Sequence, residues 1–145
     1  MSSSIKASSG GVIKLMYLID TNILLELLLD QERADEAERF LLGNSLKDFY
    51  ITEFSLYSMG IIMFHRSLYS PFLDFLDDLM KQVDILDLSV QEMKDIGEAA
   101  QKFKLDFDDA YQYAVAEKHG LEIVSFDTDF DRTDRGRIPP GQAIG

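Results

Sequence analysis

The feature that most restricts how this chain can fold is its alternation of short apolar runs with longer stretches of helical spacing. Tyr17–Ile19, Phe49–Ile51, Val83–Leu86 and Glu122–Ser125 read as buried strands, with a weaker candidate at Gln142–Ile144. Helical patterns fill the intervals. Ile23–Leu29 and Arg33–Leu42 flank the break "DQE"; Glu53–Ser67 follows a Thr52 cap; Pro71–Gln82 opens with proline at a first helical position; Gln91–Lys104 follows Ser89. Phe107–His119 closes on Gly120, which suits a helix C-terminus. Strands and helices in this order predict a mostly parallel sheet of four or five strands, covered on both faces. Such a sheet gathers the C-terminal ends of its strands on one rim, where open α/β folds bind ligands.

A chain of 145 residues, 46% hydrophobic, supports one sizeable core, and no second domain is apparent. Residues 1–11, "MSSSIKASSGG", are rich in Ser and Gly, so 1–15 are expected to be a flexible leader or an appended remnant, with one domain over 16–145. No stretch approaches the roughly 18 apolar residues of a membrane span, and the start lacks a secretory pattern; the expectation is a soluble, cytoplasmic protein with no membrane partner. The absence of cysteine excludes disulfides, thiolate metal sites and cysteine nucleophiles. With His65 and His119 the only histidines, a metal site here has to be built from oxygen.

Oxygen ligands are plentiful. Asp20 ends the first strand in "MYLIDTN"; Asp109 lies in the first turn of the helix entering the fourth strand; Asp127 and Asp129 follow that strand in "IVSFDTDF". Each has an ordinary structural reading as well. Asp20 suits a helix cap, Asp106 with Asp109 suits an N-cap followed by a dipole-favoured acid, and Asp127, Asp129 and Asp131 suit a solvated turn. Independent caps and turns have no reason to fall at the same end of two different strands. Carboxylates converging on one rim repel each other unless a divalent cation lies among them, and Mg²⁺ or Mn²⁺ favours such ligands.

Three blocks, "YLIDTNILLELL", "LDFDDAYQYAVAEKHG" and "IVSFDTDF", resemble in order and spacing the marked blocks of PIN-domain nucleases, particularly the VapC toxin ribonucleases of VapBC toxin-antitoxin pairs. The resemblance implies a three-layer α/β/α sandwich and an acidic cluster that binds Mg²⁺ or Mn²⁺ and cleaves RNA. It implies Asp20, Asp109 and Asp127 as catalytic metal ligands, Asp129 as an auxiliary ligand, and Asn22 and Ser125 as the polar residues orienting them. One position departs from the pattern: Ser58 stands where the family usually carries a Glu. Glu53, five residues earlier, lies about 140° round the helix from Ser58 and reads better as an acid at a helix N-terminus, though the first turn also gives it a route to the rim. The departure keeps a second reading open, a catalytically impaired PIN domain that binds RNA or protein.

The balance of 26 acidic against 14 basic residues, a formal charge of -12, is opposite to the footprint of a protein that holds nucleic acid by charge alone. Arg132, Arg135 and Arg137, with Lys47 and Arg66, are the candidates for phosphate contact, although "DRTDRGR" also balances itself as a charged loop. The resemblance further implies a homodimer and a separate antitoxin chain. The helix "FSLYSMGIIMFH" and the segment "SLYSPFLDFLDDLM" are the candidate dimer surface; His65 is expected there or on open surface, and His119 at a helix end. Two rivals are a phosphoacceptor domain, which wants a strand-end lysine that this chain does not offer, and an acidic docking module for a basic partner.

Overall fold

The computed structural model describes residues 5–7, 13–79 and 81–142. Two short strands, β1 (Ile5–Ala7) and β2 (Ile13–Leu15), pair antiparallel within the segment expected as a leader, whose other residues before Ile13 lie outside the described ones. The domain then runs β3 (Tyr17–Ile19), α1 (Thr21–Leu28), α2 (Ala34–Leu42), β4 (Phe49–Thr52), α3 (Glu53–His65), α4 (Tyr69–Asp78), β5 (Asp84–Leu86), α5 (Lys94–Phe103), α6 (Phe107–His119) and β6 (Glu122–Val124). The sheet has four strands in the order β5-β4-β3-β6, all parallel, in a three-layer α/β/α sandwich.

Alternation along each strand builds the two outer layers. Tyr17 and Ile19 of β3, Phe49 and Ile51 of β4 and Val124 of β6 point into one core with Ile23, Leu24, Phe40, Met59 and Phe75. Leu18 and Ile123, one residue out of phase, point into the other with Phe103, Tyr111, Val115 and Phe130. In the first core, Tyr17 meets Phe40 edge-on at 5.6 Å, and Phe40 stacks on Phe49 at 5.1 Å. Helix α6 lies deepest, buried continuously from Asp109 to Ala116, and its small residues Ala110, Ala114 and Ala116 let it sit close against its neighbours.

The element ends differ from the sequence expectation where local chemistry decides. Pro71 is the third residue of α4, not the first, a position still within the turn whose N–H groups need no intrahelical partner. The stretch 91–104 is a 3₁₀ turn, Gln91–Met93, leading into α5, which stops at Lys104 in a left-handed conformation with φ 58°. Of the weak strand at 142–144, Gln142 closes a 3₁₀ turn instead, and 143–145 lie outside the described residues. A single parallel bridge from Ile138 to Val124 takes the place beside β6.

The chain passes from β3 to β4 to β5 in one direction, then crosses back to place β6 on the other side of β3. The reversal opens a crevice between the C-terminal ends of β3 and β6. No helix among the described residues is long and apolar enough to cross a membrane.

Candidate functional site

Two carboxylates stand at that crevice because their strands end there. Asp20 follows β3 directly and caps α1, accepting from the Thr21 backbone N–H at 2.8 Å. Ser125 follows β6, and its hydroxyl is fully used: it donates to Asp20 Oδ2 at 2.6 Å and accepts from Asn22 Nδ2 at 3.1 Å and from the Asp127 backbone N–H at 2.9 Å. Asn22 Oδ1 accepts from Phe126 N–H at 3.3 Å, so one amide brackets the turn that carries Asp127. Asp127 in turn accepts from Asp129 N–H at 2.8 Å.

The third contribution comes from α6. Asp106 caps that helix by accepting from Asp109 N–H at 3.2 Å, which points the buried Asp109 side chain into the crevice. Carboxylate oxygens of Asp109, Asp127 and Asp129 all lie within 4.8 Å of one another. A cavity of about 240 Å³ opens over Asp109 and Asp127, lined also by Asp20, Asn22, Ser58, Asp106, Asp108 and Gln112 and by no basic residue, with Asp129 outside its lining.

Electrostatics there disfavour ionisation. Burial pushes the Asp20 carboxyl up to about 6, against the Ser125 and Thr21 hydrogen bonds that favour its charged form. Burial also raises Asp109, to about 8, helped by contact with Asp127 and by the charges of Asp127, Asp20 and Asp106. Asp109 Oδ2 is buried with no hydrogen-bond partner among the described residues. An unpartnered buried acceptor beside two more carboxylates fits a divalent cation, which adds to the charge of the Arg132 guanidinium paired with Asp129.

Ser58 stands on the cavity wall, whereas Glu53 turns away and accepts from the Tyr57 hydroxyl at 2.5 Å. The arginines expected to reach phosphate also bond within the fold, Arg135 and Arg137 largely covered and Arg132 with 45% of its side chain exposed. Arg132 donates to the carbonyls of Phe103 and Lys104 and to Asp129; Arg135 to the Leu121 carbonyl and to Glu117; Arg137 to the Ser125 carbonyl, and it pairs with Asp131. Their spacing reflects a loop stapled to the ends of α5 and β6. Lys47 precedes β4 and Arg66 follows α3, so both belong to the opposite rim. His65 is exposed at the end of α3, and His119 closes α6.

Sequence reasoning missed a second polar network below the carboxylates. Gln112 Nε2 donates to Ser55 Oγ at 2.7 Å and lies 3.5 Å from Asp20 Oδ1; Ser55 also meets Thr21 Oγ1 at 2.7 Å and Thr52 Oγ1 at 3.1 Å. One signal was available, since Gln112 stands three residues after Asp109 on the same helical face of an otherwise Ala- and Tyr-rich segment. Asp108 was missed too, at the cavity mouth.

The model of the PIN domain family matches residues 17–136, which takes in every element from β3 to β6 and the whole acidic cluster. The chain belongs to the PIN-domain family. Among solved structures, this PIN domain is similar to a chain of a toxin-antitoxin complex from Klebsiella pneumoniae, with 22% identity, 86% of this chain and 97% of that one covered, and a TM-score of 0.69. It is similar to a chain of FitAcB from Neisseria gonorrhoeae at 21% identity, covering 86% and 98%, with a TM-score of 0.67. It is also similar to the sarcin-ricin-loop-cleaving toxin VapC20 of Mycobacterium tuberculosis at 16% identity, covering 84% and 96%, with a TM-score of 0.69. No curated protein matches by sequence. At these identities the structural likeness carries the fold, and the function has to be argued from the PIN site itself.

Proposed function

We propose that this PIN domain is a divalent-metal-dependent endoribonuclease that hydrolyses RNA phosphodiester bonds in the cytoplasm, as the toxin of a type II toxin-antitoxin pair. The observation that carries the reading is the meeting of Asp109, Asp127 and Asp129 at the β3/β6 crevice, with Asp109 Oδ2 buried and unpartnered. The description of VapC20 as a sarcin-ricin-loop-cleaving toxin and the toxin-antitoxin setting of the Klebsiella structure support a nuclease reading and a separate antitoxin.

Asp109, Asp127 and Asp129 would hold Mg²⁺ or Mn²⁺, with Asp20 flanking them. A cation held there supplies Lewis acidity toward the phosphate and a water that ionises near neutral pH. The chain's own residues set the geometry. Ser125 and Thr21 fix both Asp20 oxygens and keep that carboxylate from turning away. Asn22 and Ser125 hold the turn that presents Asp127, and Arg132 restrains Asp129 through a 3.0 Å contact. Ser58 brings a neutral hydroxyl to the wall, so the pocket carries less negative charge than a carboxylate there would give.

Ser58 favours a second reading, a PIN domain that binds RNA or protein without cutting. Cleavage of a mixed RNA pool in Mg²⁺ and Mn²⁺, with chelator and Asp109→Asn controls, decides between them. Metal-dependent cleavage lost in the variant supports the nuclease; intact RNA with a folded protein that still binds it supports the module.

The same reading includes a homodimer. Tyr57, Ile61, Phe64, Tyr69 and Leu73 are exposed along α3 and α4, around an apolar groove of about 570 Å³. Gly60 lines that groove, where an added Cβ would meet the Phe72 ring at 3.4 Å, a van der Waals contact.

A further inference from the structure

Beside the acidic cavity, on the other side of the first turns of α3 and α6, lies a second cleft of about 220 Å³ that shares none of its lining residues. Its walls are aromatic. Phe54 packs on Tyr111 at 5.2 Å and edge-on to Phe107 at 5.7 Å, and Tyr111 is held by the Leu88 backbone N–H, which donates to its hydroxyl at 3.2 Å. Phe107 is 50% and Tyr57 61% exposed, so both offer open ring faces to a ligand.

Two carboxylates share this cleft, Glu53 and Asp87, and no Lys, Arg or His lines it. Glu53 accepts from Tyr57 through one oxygen, leaving the second for a ligand. Asp87 follows β5 directly, is exposed, and its charge acts on Tyr57, Tyr111 and His119. Ring faces with their negative quadrupole, bounded by two anions, attract a cation; a phosphate-bearing ligand meets repulsion at the same place.

The geometry points to a receptor for a cationic side chain, arginine in particular, presented by a basic segment of a partner protein. A planar guanidinium stacks on Phe107 while its donors reach Glu53 and Asp87, a combination that an ammonium matches less well. The inference is independent of whether the neighbouring acidic cluster cuts RNA.

The test follows the ¹³C-methyl resonance of Met93, which lines this cleft and not the acidic cavity. The full chain, saturated with Mg²⁺, is titrated with N-acetyl-arginine amide, with the neutral isostere N-acetyl-citrulline amide and with cytidine. A saturable shift with the arginine probe, at least about fivefold weaker in Asp87→Asn and in Phe107→Leu and absent with citrulline, supports the receptor. Phe107→Leu keeps the apolar volume, and Asp87→Asn touches an exposed residue, so both variants are expected to fold; amide spectra verify this. An equal response to citrulline, an arginine response indifferent to Asp87→Asn, or a tighter response to cytidine overturns it, the last making the cleft a nucleobase site.

Discussion

Replacing Ser125 by Ala removes one hydroxyl and leaves three groups without their partner: the Asp20 carboxylate, the Asn22 amide and the Asp127 backbone N–H. Ser125 is fully buried, so no room exists for water to take its place directly. A hydrogen bond to a charged group contributes about 1.5–3 kcal/mol and a neutral one about 1 kcal/mol. Solvent from the cavity partly recovers the Asn22 and Asp127 donors, so the net loss is about 3 kcal/mol at pH 8 in chelator. For a domain of this size that lowers Tm by roughly 10 °C. The loss depends on pH with a definite sign. Ser125 donates to the charged form of Asp20, whose carboxyl is up at about 6. At pH 5 Asp20 is mostly protonated, and the variant loses only about half as much. Urea denaturation at pH 5 and pH 8 measures both values. A loss below about 1 kcal/mol at pH 8, or a larger loss at pH 5, refutes the account of Ser125 as the hinge of the site.

Three further outcomes follow from the same geometry. Asp20 and Asp109 have carboxyls raised to about 6 and about 8, so their contribution to stability is complete below about pH 4 and is lost as pH rises through those values. Glu92, lowered to about 2 beside Lys118, loses its contribution only below that window, so the Tm of metal-free protein falls from pH 5 to pH 8.5; a rise refutes the electrostatics. Asp109→Asn removes the most strained charge: Tm in chelator rises by a few degrees, of order ~3 °C, while titration calorimetry shows Mn²⁺ binding lost. Ile61→Asp places a charge in the exposed apolar face of α3, and light scattering should then report a monomer where the unmodified chain is a dimer; a monomeric unmodified chain removes the dimer from the reading.

The fold was legible because β3 and β4 are covered on both faces and so are apolar on consecutive residues, while the helices kept their own period; the edge strand β5 begins on an exposed Asp84. Helix α6 could be placed to the residue, since Asp106 caps it and Gly120 ends it with φ 68°. The 3₁₀ turn at Gln91–Met93 and the position of Pro71 were not legible, because neighbouring packing sets such ends more than propensity does. Asp20 and Asp127 could be placed at the crevice because they follow strands β3 and β6, and Asp109 because it lies in the first turn of the capped helix α6. The polar partners Ser55 and Thr21 could not, and Gln112 only by its place one turn after Asp109, since their value depends on which side chains the fold brings within 3.5 Å. The internal partners of the arginines were not legible for a related reason: sequence spacing displays charge but not the backbone carbonyls that a guanidinium will meet.

The formal charge of -12 reads differently once these side chains are placed. With Arg135 and Arg137 largely covered and Arg132 paired with Asp129, the cavity at the crevice is lined by carboxylates and by no basic residue among the described ones. Any polyanion that reaches Asp109 has to be drawn by cations held in the cluster or by positive charge on a bound partner. Affinity for RNA should then depend on divalent cation far more steeply than on monovalent salt, the reverse of a protein that binds through lysine and arginine. A basic partner meets no such barrier, and both clefts on this rim present it with carboxylates. On the proposed function, an RNA substrate and a basic partner would compete under opposite electrostatic rules, with a bound metal favouring the first by cancelling the field that attracts the second.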